Sequence, residues 1–140
     1  MVYIDTSVIV AMLSNEAKAQ SCMTWFSNLK QTPVSSDWLI TEFNSAIALK
    51  HRTGQLQAEH LKPILLEFEA LINGGLKLMP VNRDTFNQAG KLIQANTKLR
   101  AGDALHLSVA MECKAREFAT LDIAQHEGAK RLGLNGSSLL

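Results

Sequence analysis

The sequence predicts an α/β fold with a parallel sheet that is covered by helices on both faces. Short apolar segments alternate along the chain with longer segments in which apolar residues recur at helical spacing. Parallel strands need crossover connections, and the helical segments supply them. No internal repeat, low-complexity segment or linker interrupts the alternation, so we expect one domain over residues 1–134 and a frayed tail over residues 135–140.

The first predicted strand is Val2-Tyr3-Ile4, because β-branched and aromatic residues favour strands, and it ends at Asp5. Pro33 breaks the preceding helix and introduces a short second strand that ends at Ser36. The remaining short apolar segments that we interpret as strands are 76–79, which ends at Pro80, 117–121, and a last one around Leu134.

Helices are predicted between these strands. The strongest boundary is Asn73-Gly74-Gly75, a typical helix stop, which ends a helix that carries Pro63 within its first turns, where proline does least harm. The predicted helices cover residues 8–13, 17–29, 38–52, 58–72, 83–96, 103–115 and 123–132.

Composition and charge narrow the functional classes. The chain has 140 residues, of which 46% are hydrophobic, so it can bury a core and is not disordered. A net charge of +1 argues against binding nucleic acid through bulk charge, so any such contact must be local. Cys22 and Cys113 have no metal-binding spacing. No apolar run of membrane-spanning length and no secretory signal is present, which favours a cytoplasmic protein without a membrane partner.

Two acids follow predicted strands. Asp5 comes after the first strand, which we expect to be central, and Asp122 follows the strand at 117–121. Ligands of open parallel sheets bind outside the carboxyl ends of the strands, so both positions indicate a site. Thr120 lies two residues before Asp122 and can present its hydroxyl on the same side. Helix capping is the alternative for both acids.

Two further acids belong to predicted helices. Glu42 lies on the flank of an apolar stripe, where a carboxylate is costly unless it is paired or bound to a metal, so a salt bridge is its alternative. Asp103 follows Gly102 and opens a helix that is apolar nearly all round, which predicts burial. Asp103 is also favourable at a helix N-terminus for the dipole, so capping is again the alternative.

The order of these motifs carries more weight than any one of them. Asp5-Thr6-Ser7 at the end of the first strand, the helical Glu42, then Arg100-Ala101-Gly102-Asp103-Ala104 and Thr120-Leu121-Asp122 follow one another across nearly the whole chain. This arrangement resembles the PIN domain, and specifically the VapC-type toxin nucleases of toxin–antitoxin pairs. The resemblance implies a three-layer α/β/α PIN-like domain with a short central parallel sheet, in which the four acids meet at one pocket.

The same resemblance implies a metal-dependent endoribonuclease. Clustered carboxylates favour a hard divalent cation, Mg²⁺ or Mn²⁺, which can assist hydrolysis of a phosphodiester bond. Asp5 and Asp103 are the expected direct ligands, and Glu42 and Asp122 bind directly or through water. We expect Ser7 and Thr120 to orient carboxylates or water.

Basic residues near the pocket are candidates for binding RNA. Arg100 is the strongest of them, and the weaker ones are Lys50, Arg52, Lys98, Lys114 and Arg116. His106 and His126 lie three and four residues after Asp103 and Asp122, so each is expected to pack or to bond to that neighbouring acid.

Partners follow from the resemblance as well. It implies an RNA substrate, a cognate antitoxin protein and a homodimer, and an exposed Trp25 or Phe26 would mark an interface. The alternative is a catalytically silent PIN-fold interaction module. A haloacid-type phosphatase is disfavoured because Ser7 stands where its second aspartate is needed, and a phosphoreceiver domain lacks its characteristic Asp and Lys.

Overall fold

A computed structural model describes residues 1–140 and contains one five-stranded, fully parallel sheet. The strand order is β3-β2-β1-β4-β5, so β1 is central, as the sequence predicts. The strands are β1 (Val2–Ile4), β2 (Val34–Ser36), β3 (Lys77–Met79), β4 (Glu117–Ala119) and β5 (Asn135–Gly136). Tyr3 pairs in register with Val34 on one side and Phe118 on the other. All carboxyl ends therefore lie along one edge of the sheet.

Helices connect the strands and are close to their predicted positions. The helices are α1 (Thr6–Leu13), α2 (Ala19–Ser27), α3 (Trp38–Arg52), α4 (Ala58–Ala70), α5 (Arg83–Ala95), α6 (Ala101–Glu112) and α7 (Ile123–Arg131). The stop expected at residues 73–75 is a π-helical turn, Leu71–Gly75, that ends the α4 segment. None of the helices is long and apolar enough to cross a membrane.

Two hydrophobic cores flank the sheet and make three layers. Successive residues of a strand point to opposite faces, so Ile4 belongs to the first core and Tyr3 to the second. Residues of α1–α4 fill the first core, where Phe43 and Phe68 stack with ring centroids 4.0 Å apart. Residues of α5–α7 fill the second. The expected three-layer α/β/α architecture is confirmed.

Helix α6 begins two residues before the predicted start. Arg100 is its N-cap residue, and Asp103 accepts a hydrogen bond from the Arg100 backbone N–H at 3.2 Å. Asp103 therefore lies in the first turn instead of opening the helix. A carboxylate in the third helical position satisfies one of the free backbone donors, and this bond lets Ala101 and Gly102 join the helix.

The C-terminal residues are packed, which corrects the expected frayed tail over 135–140. Asn135–Gly136 form the edge strand β5, one residue beyond the strand expected around Leu134. Leu139 is buried in the first core, and its carbonyl accepts a hydrogen bond from Lys18 Nζ at 3.1 Å. Trp25 and Phe26 are half-buried against the same core, so neither is the exposed interface residue that the sequence suggested.

Candidate active site

Asp5 follows β1 and is fixed by short hydrogen bonds. Its Oδ1 accepts from the backbone N–H and the hydroxyl of Ser7 at 3.1 and 2.6 Å, and its Oδ2 accepts from Thr120 Oγ1 at 2.9 Å. Asp5 is also the N-cap residue of α1. Asp5 can therefore cap α1 and still belong to the cluster of polar side chains at this edge of the sheet. Ser7 and Thr120 contact the acid that they were expected to orient.

Burial makes Asp5 reluctant to ionise. The side chain is removed from water, which raises the pKa of this carboxyl from 3.8 to about 6, with the negative charge of Glu42 adding to the effect. His106 and the hydroxyls of Ser7 and Thr120 oppose the rise in pKa. A cation close to Asp5 would favour the ionised form.

Glu42, in α3, is held through one of its two oxygens. Glu42 Oε1 accepts hydrogen bonds from Thr6 Oγ1 at 2.6 Å and from His106 Nε2 at 2.5 Å. Burial favours the neutral acid, but the bonds from His106 and Thr6 outweigh it and lower the pKa of Glu42. The partner of Glu42 is thus His106, a histidine of α6, and not a lysine or arginine, and the pair is a salt bridge only when the imidazole is protonated.

The second oxygen of Glu42 faces the backbone of α6. A Cβ atom at Gly102 would collide with Glu42 Oε2 and would also come within 3.1 Å of Trp38 Nε1. Gly102 is not in the left-handed region, so glycine is required here for space and not for backbone conformation. This contact places Glu42 beside the first turn of α6, which carries Asp103.

Asp103 and Asp122 share Arg100. The guanidinium lies 3.6 Å from Asp103 Oδ2 and 3.4 Å from Asp122 Oδ2, and its side chain is 80% exposed. Burial raises the pKa of Asp103, and the charge of Asp122 contributes. Asp122 Oδ1 caps α7 by accepting from the Gln125 N–H at 2.9 Å. Each acid thus accepts a backbone hydrogen bond and has the exposed Arg100 guanidinium close by.

An open cavity of about 920 Å³ brings these residues together. Glu42, Asp103 and Asp122 line it, as do Ser7 and Arg100. Asp5 does not line the cavity because it is 4% exposed, but Ser7, which binds it, does. Three predicted acids therefore face a common space, and the fourth lies one hydrogen bond away from it.

The donors suit a hard divalent cation, although they do not yet converge. All four acids offer carboxylate oxygens, which Mg²⁺ and Mn²⁺ prefer. Burial is the main cause of the raised pKa values of Asp5 and Asp103, and a bound cation would counteract it by favouring the ionised carboxylates. No three Asp, Glu, His or Cys side chains stand close enough to hold an ion as they are placed. Binding would require rotation of side chains, and above all the separation of Arg100 from Asp103 and Asp122.

The histidines and the remaining basic residues that the sequence singled out lie farther from the four acids or have other partners. His106 bonds to Glu42 and not to Asp103, because helix α6 turns it toward α3. His126 packs against Gly136 of β5, and its buried Nδ1 makes no hydrogen bond to Asp122. Arg116 immediately precedes β4 and therefore lies at the amino-terminal edge, away from the cavity, and Lys114 is close to it in sequence. Lys50 lines the far end of the cavity, paired with Glu16 at 2.8 Å.

Thr6 is a site residue that the sequence patterns did not single out. Its hydroxyl bonds to Glu42, which is 36 positions away along the chain. The signal was present in Asp5-Thr6-Ser7, where two hydroxyl side chains follow the acid, but a Thr after a strand is equally typical of a helix start. Only the approach of α3 gives Thr6 its partner.

Comparison with known proteins gives one family match. The model of the PIN domain family matches residues 2–131 of this chain. No curated protein sequence matches it.

Several solved structures share the fold at low sequence identity. VapC20 of Mycobacterium tuberculosis, a toxin that cleaves the sarcin–ricin loop, is 13% identical with a TM-score of 0.74, and 96% of each chain is covered. VapBC2 of Rickettsia felis, bound to promoter DNA, is 14% identical with a TM-score of 0.65, covering 98% of both chains. FitAcB of Neisseria gonorrhoeae is 16% identical with a TM-score of 0.66, covering 99% of this chain and 98% of that one.

Proposed function

Because this chain belongs to the PIN domain family, we propose that it is a metal-dependent endoribonuclease that acts as the toxin of a type II toxin–antitoxin pair. The observation that supports the proposal most directly is the grouping of Asp5, Glu42, Asp103 and Asp122 at the carboxyl edge of the sheet, around one cavity. The similarity in fold to VapC20, a toxin that cleaves the sarcin–ricin loop, supports the choice of RNA and of the toxin class.

The four acids would hold Mg²⁺ or Mn²⁺, with Asp5 and Asp103 as direct ligands and Glu42 and Asp122 binding directly or through water. When bound, the ion supplies an activated water and stabilises the leaving oxygen in hydrolysis of the phosphodiester. Ser7 and Thr120 hold Asp5 in one orientation through three hydrogen bonds, which limits the reorganisation that binding requires.

Arg100 has a second role in this proposal. Its guanidinium is exposed and contacts Asp103 and Asp122 only at 3.4–3.6 Å, so these contacts are weak. Once the carboxylates engage a cation, the guanidinium can turn to a phosphate of the RNA, whose oxygens match its paired N–H groups. Arg100 would thus supply local positive charge in a chain whose net charge is only +1.

Assembly is part of the same proposal. We place the protein in the cytoplasm as a homodimer that binds a cognate antitoxin, in keeping with the toxin–antitoxin complexes among proteins of similar fold. Sedimentation of the protein alone at high micromolar concentration tests the dimer, because a monomer there would reject it.

The decisive experiment is cleavage of a labelled RNA by purified protein with Mg²⁺, Mn²⁺ or EDTA. We expect cleavage with either ion, none with EDTA, and none from Asp103→Asn prepared in the same way, which also controls for contaminating nuclease. Asp37→Asn is the matched control, since Asp37 is an exposed acid at the same sheet edge that does not line the cavity. Equal activity of Asp103→Asn and the unaltered protein, or no cleavage at all, would favour the silent interaction module.

A further inference from the structure

A buried chain of polar side chains runs behind the candidate active site. The Tyr3 hydroxyl lies 2.7 Å from His106 Nδ1, and His106 Nε2 lies 2.5 Å from Glu42 Oε1. Tyr3 is 0% exposed and His106 is 2% exposed. These hydrogen-bonded side chains connect the central strand β1, helix α6 and helix α3, and the last of them, Glu42, has a carboxylate that lines the cavity.

The direction of these bonds follows from the chemistry of the groups. A carboxylate can only accept, so His106 Nε2 carries a proton and donates to Glu42 Oε1. In the neutral imidazole Nδ1 is then an acceptor, and the Tyr3 hydroxyl donates to it. Thr6 Oγ1 donates to the same carboxylate oxygen at 2.6 Å. Both donors therefore occupy Oε1, and Oε2 is left beside Gly102, where the Trp38 indole N–H is the other polar group close to the Glu42 carboxylate.

We propose that His106 is a positioning residue that fixes Glu42 with Oε2 presented to the metal and that Tyr3 sets the tautomer in which His106 can do so. This inference rests on the proposed function, which makes Glu42 a ligand. It assigns the buried imidazole a purpose that packing does not require.

The surroundings of His106 argue against a purely structural role. Apart from Ser108, which bonds to the Thr85 carbonyl, the other buried residues of helix α6 are apolar, with Ala104, Leu105, Leu107 and Val109 around the histidine. A leucine would fill a similar volume in this layer without the cost of removing two ring nitrogens from water. Both nitrogens have partners instead, one toward β1 and one toward the cavity.

The test compares His106→Leu with His106→Gln, because the Gln amide can place an N–H donor near the position of Nε2 and Leu cannot. Three quantities are measured for each variant: the Mn²⁺ affinity by calorimetry, and kcat and KM for RNA cleavage. We expect His106→Leu to weaken Mn²⁺ binding and to lower kcat by about 10–100-fold with little change in KM. His106→Gln should recover most of both losses.

Ser108→Ala is the matched control for stability. Ser108 is fully buried on the same helix and bonds to the Thr85 carbonyl at 2.9 Å, away from the cavity. We expect this variant to melt at a lower temperature and to retain Mn²⁺ affinity and kcat. Tyr3→Phe keeps the ring that stacks on Phe118 and removes only the hydroxyl, so it should show a smaller loss of kcat than His106→Leu.

Clear results would overturn the inference. The first is a His106→Leu variant that folds and keeps its Mn²⁺ affinity and kcat unaltered. The second is a His106→Gln variant whose Mn²⁺ affinity and kcat fall as far as those of His106→Leu while the two variants melt at the same temperature. If His106→Leu does not fold, His106→Gln and Tyr3→Phe decide, and unaltered Mn²⁺ affinity and kcat in Tyr3→Phe reject the tautomer assignment. An unaltered protein that binds Mn²⁺ but cleaves no RNA rejects the proposed function alone, and the Mn²⁺ titrations still test the role of His106.

Discussion

Single residues of this site combine a structural role with the functional role that we propose for them. Asp5 and Asp122 each cap a helix through Oδ1, while Oδ2 bonds to Thr120 in the first case and faces Arg100 in the second. A carboxylate has two oxygens and about four acceptor positions, so a cap leaves acceptor capacity unused. Capping and ligand binding are therefore not competing explanations at these positions. A substitution to Asn keeps the cap acceptor and removes the charge.

Asp5→Asn tests the cost of the buried acid. Since the folded-state pKa of about 6 lies above the unfolded value of 3.8, the acid stabilises the metal-free fold below about pH 4 and loses that contribution as pH rises through 6. In EDTA the variant should therefore gain stability relative to the unaltered protein as the pH rises. We expect the difference between their free energies of unfolding to increase by on the order of 2–3 kcal/mol from pH 4 to 7. Urea titrations measure it, and a pH-independent difference would contradict the prediction. The variant should be folded and inactive.

Arg100→Gln tests the proposed phosphate contact. We expect KM for RNA to rise about tenfold, the size of one charge-assisted hydrogen bond, while Mn²⁺ affinity stays equal or increases because a competing cation is removed. Arg116→Gln is the matched control, since Arg116 is exposed at the opposite edge of the sheet and should leave both quantities unchanged. Weaker Mn²⁺ binding in Arg100→Gln would show instead that the guanidinium organises the acids.

At the scale of elements, the site depends on how closely α3 and α6 approach. Gly102 lies in the first turn of α6, directly against the carboxylate and the indole that α3 presents. The shift of the α6 start from residue 103 to 101 matters here, because it brings Gly102 into the helix and turns Asp103 toward Arg100. Two helices from opposite layers thus supply neighbouring acids above the edge of the sheet.

Gly102→Ala tests this approach. The added methyl group must displace Glu42, which Thr6 and His106 hold, so we expect cleavage to fall at least about tenfold. Stability should change by less than about 1 kcal/mol, because alanine favours the helix and offsets part of the strain. Gly90→Ala, inside α5 with open space around it, is the control and should gain about 0.5–1 kcal/mol with unaltered cleavage. Full activity in Gly102→Ala would show that Glu42 can move freely.

At the scale of the whole molecule, the parallel sheet determines where charge accumulates. All five carboxyl ends share one edge, so acids that are far apart in sequence meet there without an excess of negative charge in the chain. The cavity that results is acidic, and Arg100 already shows that a guanidinium fits between Asp103 and Asp122. An inhibitor with one arginine or lysine could use the same acids.

We therefore predict that antitoxin and metal compete. An Arg or Lys of the antitoxin inserted among Asp5, Glu42, Asp103 and Asp122 would replace the cation, so inhibition of RNA cleavage should weaken as Mg²⁺ or Mn²⁺ rises. Truncating that basic residue should restore cleavage and cost about 2–5 kcal/mol of binding, leaving the rest of the interface intact. Inhibition that is indifferent to metal concentration and to this residue would indicate that the antitoxin covers the RNA path instead.

The sequence by itself determined the fold class, the central position of β1 and the acids that follow its strands. These features depend on local rules: residue preference, helical periodicity and the residues that end each element. The expectation that Ser7 and Thr120 lie close to Asp5 came from the resemblance to the PIN domain, because β1 and β4 are neighbours in the sheet but not along the chain.

Only the tertiary structure decided which side chains hold which. His106 was expected to pack or to bond to Asp103, three residues away; it is buried, and its bond goes to Glu42, which is 64 positions away. Residues 135–140 were expected to fray, yet Leu139 is buried and bonded to Lys18. In both cases the partner comes from an element that is distant along the chain. Rules that consider only neighbours along the chain do not include the free energy of such a contact, so they cannot predict it.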